Sequence, residues 1–346
     1  MNNKRAATIY DIAVKAEVAA ATVSKVLNGK GTVSEKTKAK IFKIAEELGY
    51  APNIAAKNLR KSRSNQILLI IPEFSNMFYF DLVSAVHQVC IQNGYSMVLH
   101  IYNDTSENDN EYLGTLYKTK FNFVDAVINI SFQFTEAHIE ALKSIHKPVA
   151  ISTVSCCNLD YPCPFDFVGA DTFSGIYQAV IHLIQQGHRN ISYVGLSVDS
   201  APGKERYEGY KKAMLDSNLP LQQQLIFTGG YTSKYGFECG KRIAAQDMSV
   251  MPTAVCTAND MIAQGLYRAL GEENIRIPNQ MALVSMDNTD ISDLLSPTLS
   301  SVAIMQYDIG RVAAEYVIDR LNGDKSNPHV KIFEPKLYVR QSTMSI

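Results

Sequence analysis

Polar and aromatic side chains that follow short apolar runs are the residues of this sequence best suited to bind a small molecule. Charged and amide groups can form hydrogen bonds with the hydroxyls of a ligand, and aromatic rings can stack on the faces of its ring. This mixture predicts a cleft for a polyhydroxylated molecule. The candidates from this pattern are Glu73, Phe132, Arg206, Tyr231, Asn259 and Asp287.

Catalytic motifs give little support to an enzyme. The sequence contains no G-x-S-x-G elbow, no H-E-x-x-H and no G-x-G-x-x-G. Gly203-Lys204 resembles a phosphate loop, but Val198 stands where its first glycine should be and Glu205 where Ser or Thr should follow. The spacing of Cys156, Cys157 and Cys163 is not that of a usual zinc site. We therefore predict no catalytic residue, no metal site and no cofactor.

The elements that must position the cleft alternate between strand and helix beyond residue 64. A first series of strands reads at 67–71, 97–101, 126–130 and 149–152, with helices near 78–92, 107–118 and 136–144. A second series reads at 165–169, 191–195, 225–228, 254–257 and 282–285, with a helix in each gap. Such alternation predicts an α/β fold with two doubly wound lobes of parallel strands. Ligands bind at the carboxyl ends of such strands, so the lobes should enclose the cleft.

Charge is divided unevenly along the chain. The formal net charge is only −1, but residues 1–64 have a charge of +8 and the remaining 282 residues a charge of −9. This asymmetry predicts a polyanion-binding head on an acidic body. A basic segment can also be a solvated tail, so the head must show a fold of its own.

The head reads as three short helices. Thr8 and Asp11 form a capping box before a helix over 9–16, Glu17-Val18 makes a turn, and a second helix covers 20–27. A third helix follows Ser34 and ends at Gly49. The tight connection predicts a helix-turn-helix whose second helix enters the DNA major groove, the alternative being a generic three-helix bundle.

The stretch TIYDIAVKAEVAAATVSKVLNGKGTVSEKTKAKIFKIAEELGYAPNIAAKNL resembles the head of the LacI/GalR family of bacterial transcription repressors. The resemblance implies that Thr8 and Tyr10 contact phosphates. It also implies that the recognition helix offers Ala20, Ala21, Thr22, Ser24, Lys25 and Asn28 to the DNA. Two departures stand out: Ala19 replaces a usual serine and so removes an N-cap, and Lys25 replaces a usual arginine.

The segment after the head matches the hinge helix of that family. By the resemblance, Asn53, Ala56, Lys57 and Leu59 contact the operator, and Leu59 inserts into the minor groove and kinks the duplex. Packing of Leu59 against the body is the alternative. The predicted domains are the head at 1–50, the hinge helix and linker at 51–64, and two lobes that resemble a periplasmic binding protein. The N-terminal lobe covers 65–167 plus 302–328, and the C-terminal lobe 168–301 plus 329–346.

The body also matches the family, in PEFSNMFYFDL, QGHRNISYVG, RYEGY, TANDMIAQGLYRAL, LVSMDN and EPKLYVRQST. The match implies that Arg206, Asn259 and Asp287 anchor an effector. It also implies that Phe78, Tyr79 and Tyr231 form the apolar walls of its site. Arg206 could instead pair with Glu205 or Glu208, and Asp287 could cap the helix after it. The departures are Met77 for proline, Thr153 for a frequent aspartate, and Ile304-Met305 for Gln-Pro.

Together these features predict a homodimeric repressor of carbohydrate-utilisation genes that binds a near-palindromic operator and a sugar or sugar phosphate. One alternative is a catabolite-control-type regulator whose co-repressor is a phosphorylated phosphocarrier protein, since Tyr307-Asp308-Ile309-Gly310 is reminiscent of that branch. A cytosolic sugar-binding protein is another. No apolar run approaches the ~20 residues of a spanning helix, and residues 1–8 contain no signal-peptide core, so we expect a cytoplasmic protein without a membrane partner.

Overall fold

The computed structural model describes residues 7–27, 33–50, 63–72, 76–102, 123–131, 135–153 and 163–344. It divides the chain into two compact units between Ser64 and Asn65. The predicted contacts of Asn28 and of the hinge helix (Asn53, Ala56, Lys57, Leu59), and the predicted helix near 107–118, lie outside the described residues.

The described part of the first unit contains three helices around one apolar core. They are α1 (Ile9–Ala16), α2 (Ala20–Leu27) and α3 (Glu35–Glu47). Each contributes one fully buried β-branched side chain, namely Ile12, Val23 and Ile41. The capping box at the start of α1 is present: Asp11 N–H donates to Thr8 Oγ1, and Thr8 N–H donates to Asp11 Oδ2 at 2.7 Å. These bonds satisfy helical N–H groups that would otherwise lack a partner, so the predicted first helix starts where expected.

The second unit is built from strands and helices that alternate along the chain. Its strands are β1 (Gln66–Ile71), β2 (Ser96–Ile101), β3 (Ala126–Ile130), β4 (Val149–Thr153), β5 (Asp166–Ala170), β6 (Ile191–Gly195), β7 (Ile226–Thr228), β8 (Ala254–Thr257), β9 (Ala282–Asp287), β10 (Ser300–Ala303), β11 (Val330–Phe333) and β12 (Lys336–Tyr338). Its described α-helices are α4 (Phe78–Gln92), α5 (Glu136–Lys143), α6 (Thr172–Gln185), α7 (Ala201–Asp216), α8 (Ser233–Ala244), α9 (Asp260–Glu272), α10 (Ile291–Leu294) and α11 (Gln306–Leu321).

Two six-stranded sheets organise the body. The strand order is β11-β5-β4-β3-β1-β2 in the first sheet and β12-β10-β9-β8-β6-β7 in the second. All pairs are parallel except β10 with the short edge strand β12. The central strands are apolar and buried on both faces, as expected of parallel strands covered by helices. The predicted fold class, with two doubly wound lobes, is confirmed.

Two strands lie in a different sheet from the one predicted. The strand at 166–170 was expected to open the second series, but it pairs with β4 through Ala150 and Asp166 and so belongs to the first sheet. Residues 330–333 were placed in the C-terminal lobe, but they pair with β5 through Val330 and Phe167. The predicted boundary at 167/168 therefore cuts through β5, and the boundary at 328/329 precedes β11 although that strand belongs to the first sheet. A short apolar run is equally compatible with either sheet, so its sequence does not show which one it joins.

The chain crosses between the two sheets three times, at 170–172, 303–306 and 333–336. Two crossings are bonded to each other, since Asp171 N–H donates to Phe333 O at 3.1 Å. The crossing at 303–306 leads from β10 into α11, which packs closely on α4. A Cβ on Gly310 would lie 2.4 Å from Leu82 O, so only glycine permits this approach. In the described part of the chain, no helix is both long and apolar enough to cross a lipid bilayer.

Candidate DNA-binding helix and effector cleft

The predicted DNA-contact residues of the head differ in their exposure to solvent. Tyr10 is 73% exposed, and Ala21 and Lys25 are also exposed. Thr8, Ala20, Thr22 and Ser24 are half-buried. The inward positions of α2, Val23 and Val26, are buried in the core, so the helix has an apolar inner face and a polar outer face as predicted. The DNA contacts assigned to these residues remain predictions.

The start of α2 lacks a side-chain cap. Thr22 N–H and Val23 N–H donate to the backbone O of Ala19 at 2.8 and 3.2 Å, and alanine offers no further acceptor. At the corresponding place on α3, Ser34 Oγ accepts from Thr37 N–H at 3.3 Å. The two helices of the same unit thus differ by one capping hydroxyl.

A cleft in the body collects most of the predicted effector residues. It is lined by Asn76, Phe78, Tyr79, Leu196, Arg206, Tyr231, Asn259 and Asp287. Asn76, Phe78 and Tyr79 come from the end of β1 and the start of α4, in the lobe of the first sheet. The other five follow strands of the second sheet or lie near the start of α7, as expected for the carboxyl ends of parallel strands. Glu73 and Phe132 lie outside the described residues.

The side chains of Arg206 and Asp287 lie next to each other, buried in the cleft. They are 4% and 3% exposed, and Arg206 Nη2 lies 3.6 Å from Asp287 Oδ1. This separation is too long for a hydrogen bond. Arg206 Nη1 donates to Ala258 O at 2.5 Å, whereas Arg206 Nε and Asp287 Oδ1 have no hydrogen-bond partner among the described residues. Both atoms are therefore available for a hydrogen bond with a polar ligand.

The alternatives for these two residues are not what the structure shows. The carboxyl next to Arg206 is that of Asp287, whereas Glu205 Oε1 accepts from Phe173 N–H at 3.2 Å and Glu208 pairs with Lys211. Asp287 does not cap α10, whose N-cap residue is Asp290 without a side-chain cap bond.

The environment of Asp287 favours its neutral form. Burial raises the pKa of Asp287 to about 8; the guanidinium of Arg206 opposes this rise and the nearby Asp260 carboxylate adds to it. The backbone is also unusual, because Asp287 has φ of 102° and Asn288 has φ of 51°, in the region that favours glycine. Non-glycine residues persist there only where surrounding contacts hold them.

Asn259 and Tyr231 line the cleft while supporting its structure. Asn259 Oδ1 accepts from Ile262 N–H at 2.8 Å and so caps α9, and Asn259 Nδ2 donates to Tyr231 O at 3.0 Å. On the opposite wall, the Phe78 and Tyr79 rings meet edge to face, 5.0 Å apart. Asn259 therefore joins the start of α9 to Tyr231, and one N–H of its amide group lies beyond these two bonds.

Asp260 is a residue that the sequence argument left without a role. Its carboxylate accepts from Thr289 N–H (2.7 Å), Thr289 Oγ1 (3.0 Å), Ser292 Oγ (3.1 Å) and Ser301 Oγ (2.7 Å). Burial raises the pKa of Asp260 above its ordinary value, and the hydrogen bonds from Ser301 and Thr289 oppose part of this rise. Asp260 thereby fastens the turn after β9 to α9 and β10. The sequence signal that could have indicated this role is the position of Asp260 directly after Asn259, the N-cap residue of α9.

Comparison with known proteins supports this arrangement. The model of "Bacterial regulatory proteins, lacI family" matches residues 8–53, and that of a "Periplasmic binding protein-like domain" matches residues 180–343. The chain is 31% identical to catabolite control protein A of Priestia megaterium, over 97% of this chain and 99% of the relative. It is 30% identical to the HTH-type transcriptional repressor PurR of Actinobacillus pleuropneumoniae serotype 3 (strain JL03), over 98% and 99% of the two chains.

Solved structures give the same result for the fold. A transcriptional regulator CelR–cellobiose complex is 26% identical with a TM-score of 0.71, covering 97% of this chain and 99% of that one. The Lac repressor dimer bound to operator and the anti-inducer ONPF has a TM-score of 0.84 at 22% identity, covering 99% and 100%, and supports the fold alone. The chain belongs to the lacI family of bacterial regulatory proteins.

Proposed function

We propose that this regulator is a homodimeric repressor of carbohydrate-utilisation genes whose operator affinity is set by a sugar or sugar phosphate in the cleft. Each head binds one half-site of a near-palindromic operator through the outer face of α2. The proposal gives the chain no catalytic role. Its support from the head is the exposed Lys25 of α2, the half-buried Thr22 and Ser24 on the same helix, and the +8 charge of residues 1–64.

The observation that carries the effector proposal is the pair Arg206 and Asp287, each of which keeps a buried polar atom without a hydrogen-bond partner among the described residues. A buried polar group without a partner is costly, so a ligand hydroxyl that bonds to it gains affinity. The aromatic wall of Phe78, Tyr79 and Tyr231 can cover the face of a sugar ring. A relative of this family, CelR, has been solved with cellobiose.

The position of the cleft explains how the effector acts on DNA. Its walls come from both lobes, and the lobes are joined by the three crossings at 170–172, 303–306 and 333–336. A ligand that binds one arrangement of the lobes better shifts the protein toward that arrangement by its differential affinity. Such domain motion changes the operator affinity of the heads.

Control by a phosphorylated carrier protein is the second candidate, because one relative is named catabolite control protein A. On the helix that carries Tyr307-Asp308-Ile309-Gly310, the cation Arg311 lies 3.0 Å from Asp308 Oδ1 and 2.9 Å from Glu315 Oε2. A phosphoryl group would have to compete with two carboxylates for this guanidinium. We therefore favour control by a small molecule.

Selection of the operator from random duplexes, followed by a footprint, tests the DNA function, and we expect protection of a near-palindromic site. A thermal-shift screen with neutral sugars, sugar phosphates and the phosphorylated carrier then tests the effector, since a bound ligand raises the melting temperature. Asp287→Ala should abolish the response of operator binding to the sugar that gives a shift, whereas Asp290→Ala, an exposed neighbour, should retain it. A retained response in Asp287→Ala rejects the site, and a response to the carrier alone favours the second candidate.

A further inference from the structure

A hydrogen bond joins the effector cleft to the crossing that enters α11. Gln306 is the first residue of α11 and is 6% exposed. Its side-chain Nε2 donates to the backbone O of Asp287, the last residue of β9. The acceptor belongs to a residue that lines the cleft, and the donor belongs to a segment that passes between the lobes.

Both ends of this bond lie in strained backbone. Met305 has φ of 59°, next to Gln306, and Asp287 and Asn288 have φ of 102° and 51°. Such conformations persist only where neighbouring contacts impose them, and a change of contacts at one end can release them. A proline at 305 is excluded because its ring fixes φ near −65°.

The helix that begins at Gln306 is fixed to the lobe of the first sheet. Gly310 lies directly against Leu82 O of α4. Tyr307 Oη donates to Gln88 Oε1 of the same helix at 2.6 Å. Ile309, Ala313 and Val317 are buried in the core shared with α4. A displacement at the start of α11 must therefore be transmitted to α4 or break this packing, because packed interiors do not deform continuously.

From these contacts we propose that Gln306 is a positioning residue that couples the effector cleft to α11, and through α11 to the lobe of the first sheet. The coupling rests on the proposed function, since it assumes that a ligand acts on Asp287. When the environment of the Asp287 carboxyl changes, the carbonyl of the same residue moves, and Gln306 carries that movement to the crossing. The other two crossings are bonded to each other through Asp171 and Phe333.

Amide hydrogen exchange of the full chain tests the coupling without an effector or an operator. We would compare the unaltered protein with Asp287→Ala, Gln306→Met and the double variant. Asp287→Ala releases the pair with Arg206 and should raise exchange in residues 307–311 of α11 by about fivefold or more, the lower end of usual coupling. In the Gln306→Met background, Asp287→Ala should raise exchange in residues 307–311 by less than about twofold. Residues 288–292 should respond to Asp287→Ala in both backgrounds.

Arg311→Gln is the matched control, because it removes ion pairs with Asp308 and Glu315 on the same helix and leaves Gln306 in place. Asp287→Ala should still reach 307–311 in that background. An equal effect of Asp287→Ala with Gln or Met at 306 overturns the proposal, as does no effect with Gln306 present. If Gln306→Met lacks a cooperative thermal transition, we would use Gln306→Glu, which has the same shape but no Nε2 donor. Loss of folding in both variants overturns the coupling role in favour of a structural one. A failure of the proposed function appears instead in the footprint and the sugar screen.

Discussion

The predicted recognition helix α2 and the proposed effector cleft place their candidate side chains under opposite constraints. On α2 the predicted contact residues Ala21 and Lys25 are exposed. In the cleft Arg206, Asn259 and Asp287 are buried, and two of them have structural duties: Asn259 caps α9 and Asp287 accepts from Gln306. The head can therefore change its DNA preference at little cost in stability. A change in the cleft alters ligand binding and folding together.

The largest effect that tests this contrast is expected at Asp260. Asp260→Ala leaves the donors of Thr289, Ser292 and Ser301 without their buried acceptor. Since each unsatisfied buried group costs roughly 1–3 kcal/mol, the free energy of unfolding should fall by about 3 kcal/mol or more. Urea unfolding measures it. Asp290→Ala, an exposed aspartate of the same turn, should change the free energy by less than about 0.5 kcal/mol; equal losses in both variants would remove the special role of Asp260.

Lys25 provides the converse test on the head. Lys25→Met should weaken operator binding by about 1–3 kcal/mol, because the side chain can donate to a base edge or a phosphate. The free energy of unfolding should stay within about 0.5 kcal/mol, since the side chain is exposed. Titration of the selected operator and urea unfolding give the two numbers. Lys43→Met on α3, also exposed, removes the same charge from the head and should weaken binding less; an equal loss would indicate a general charge effect.

The raised pKa of Asp287 predicts a pH dependence that belongs to the cleft. Between an unfolded-state pKa near 3.8 and a folded-state pKa of about 8, the unfolded chain binds fewer protons than the folded one. The free energy of unfolding should therefore fall as the pH rises through this window, by up to about 1.4 kcal/mol per pH unit, and should level off above pH 8. Asp287→Asn lacks this titration, and subtracting its unfolding free energies from those of the unaltered protein at each pH isolates the effect. A difference that stays constant from pH 5.5 to 8.5 would contradict it.

Local patterns predicted much of this molecule because they depend on neighbouring residues. The helix over 9–16 follows from Thr8 and Asp11, and the strands at 126–130, 191–195 and 254–257 follow from apolar runs. Arg206, Asn259 and Asp287 were brought together by the rule that parallel strands share one carboxyl edge. These predictions use only the period of the pattern and the direction of the strands.

Contacts between segments far apart in the sequence could not be predicted from local patterns, because the tertiary fold sets them. Sheet membership of 166–170 depends on its pairing with β4, and the apolar run itself is compatible with either sheet. The four donors around Asp260 come from positions 289, 292 and 301, whose approach is set by the fold of β9 and β10. The bond between Gln306 and Asp287 joins residues 19 positions apart through strained backbone that no local pattern announces.

The smallest expected effect concerns the missing cap of α2. Ala19→Ser restores a hydroxyl that can accept from the N–H of Ala21 or Thr22, as Ser34 already does for Thr37 at the start of α3. An N-cap serine stabilises a helix by about 1 kcal/mol relative to alanine, so amide exchange of residues 20–27 in the full chain should slow by about fivefold. Ala21→Ser places the same hydroxyl inside α2, where serine is a poorer helix former than alanine, and should not slow exchange. The hydroxyl at 19 also lies at the helix end that attracts phosphates, so Ala19→Ser should tighten operator binding. Slower exchange without tighter binding would limit the role of position 19 to the stability of the helix, whereas unchanged exchange would mean that the backbone acceptor of Ala19 already satisfies this end of α2.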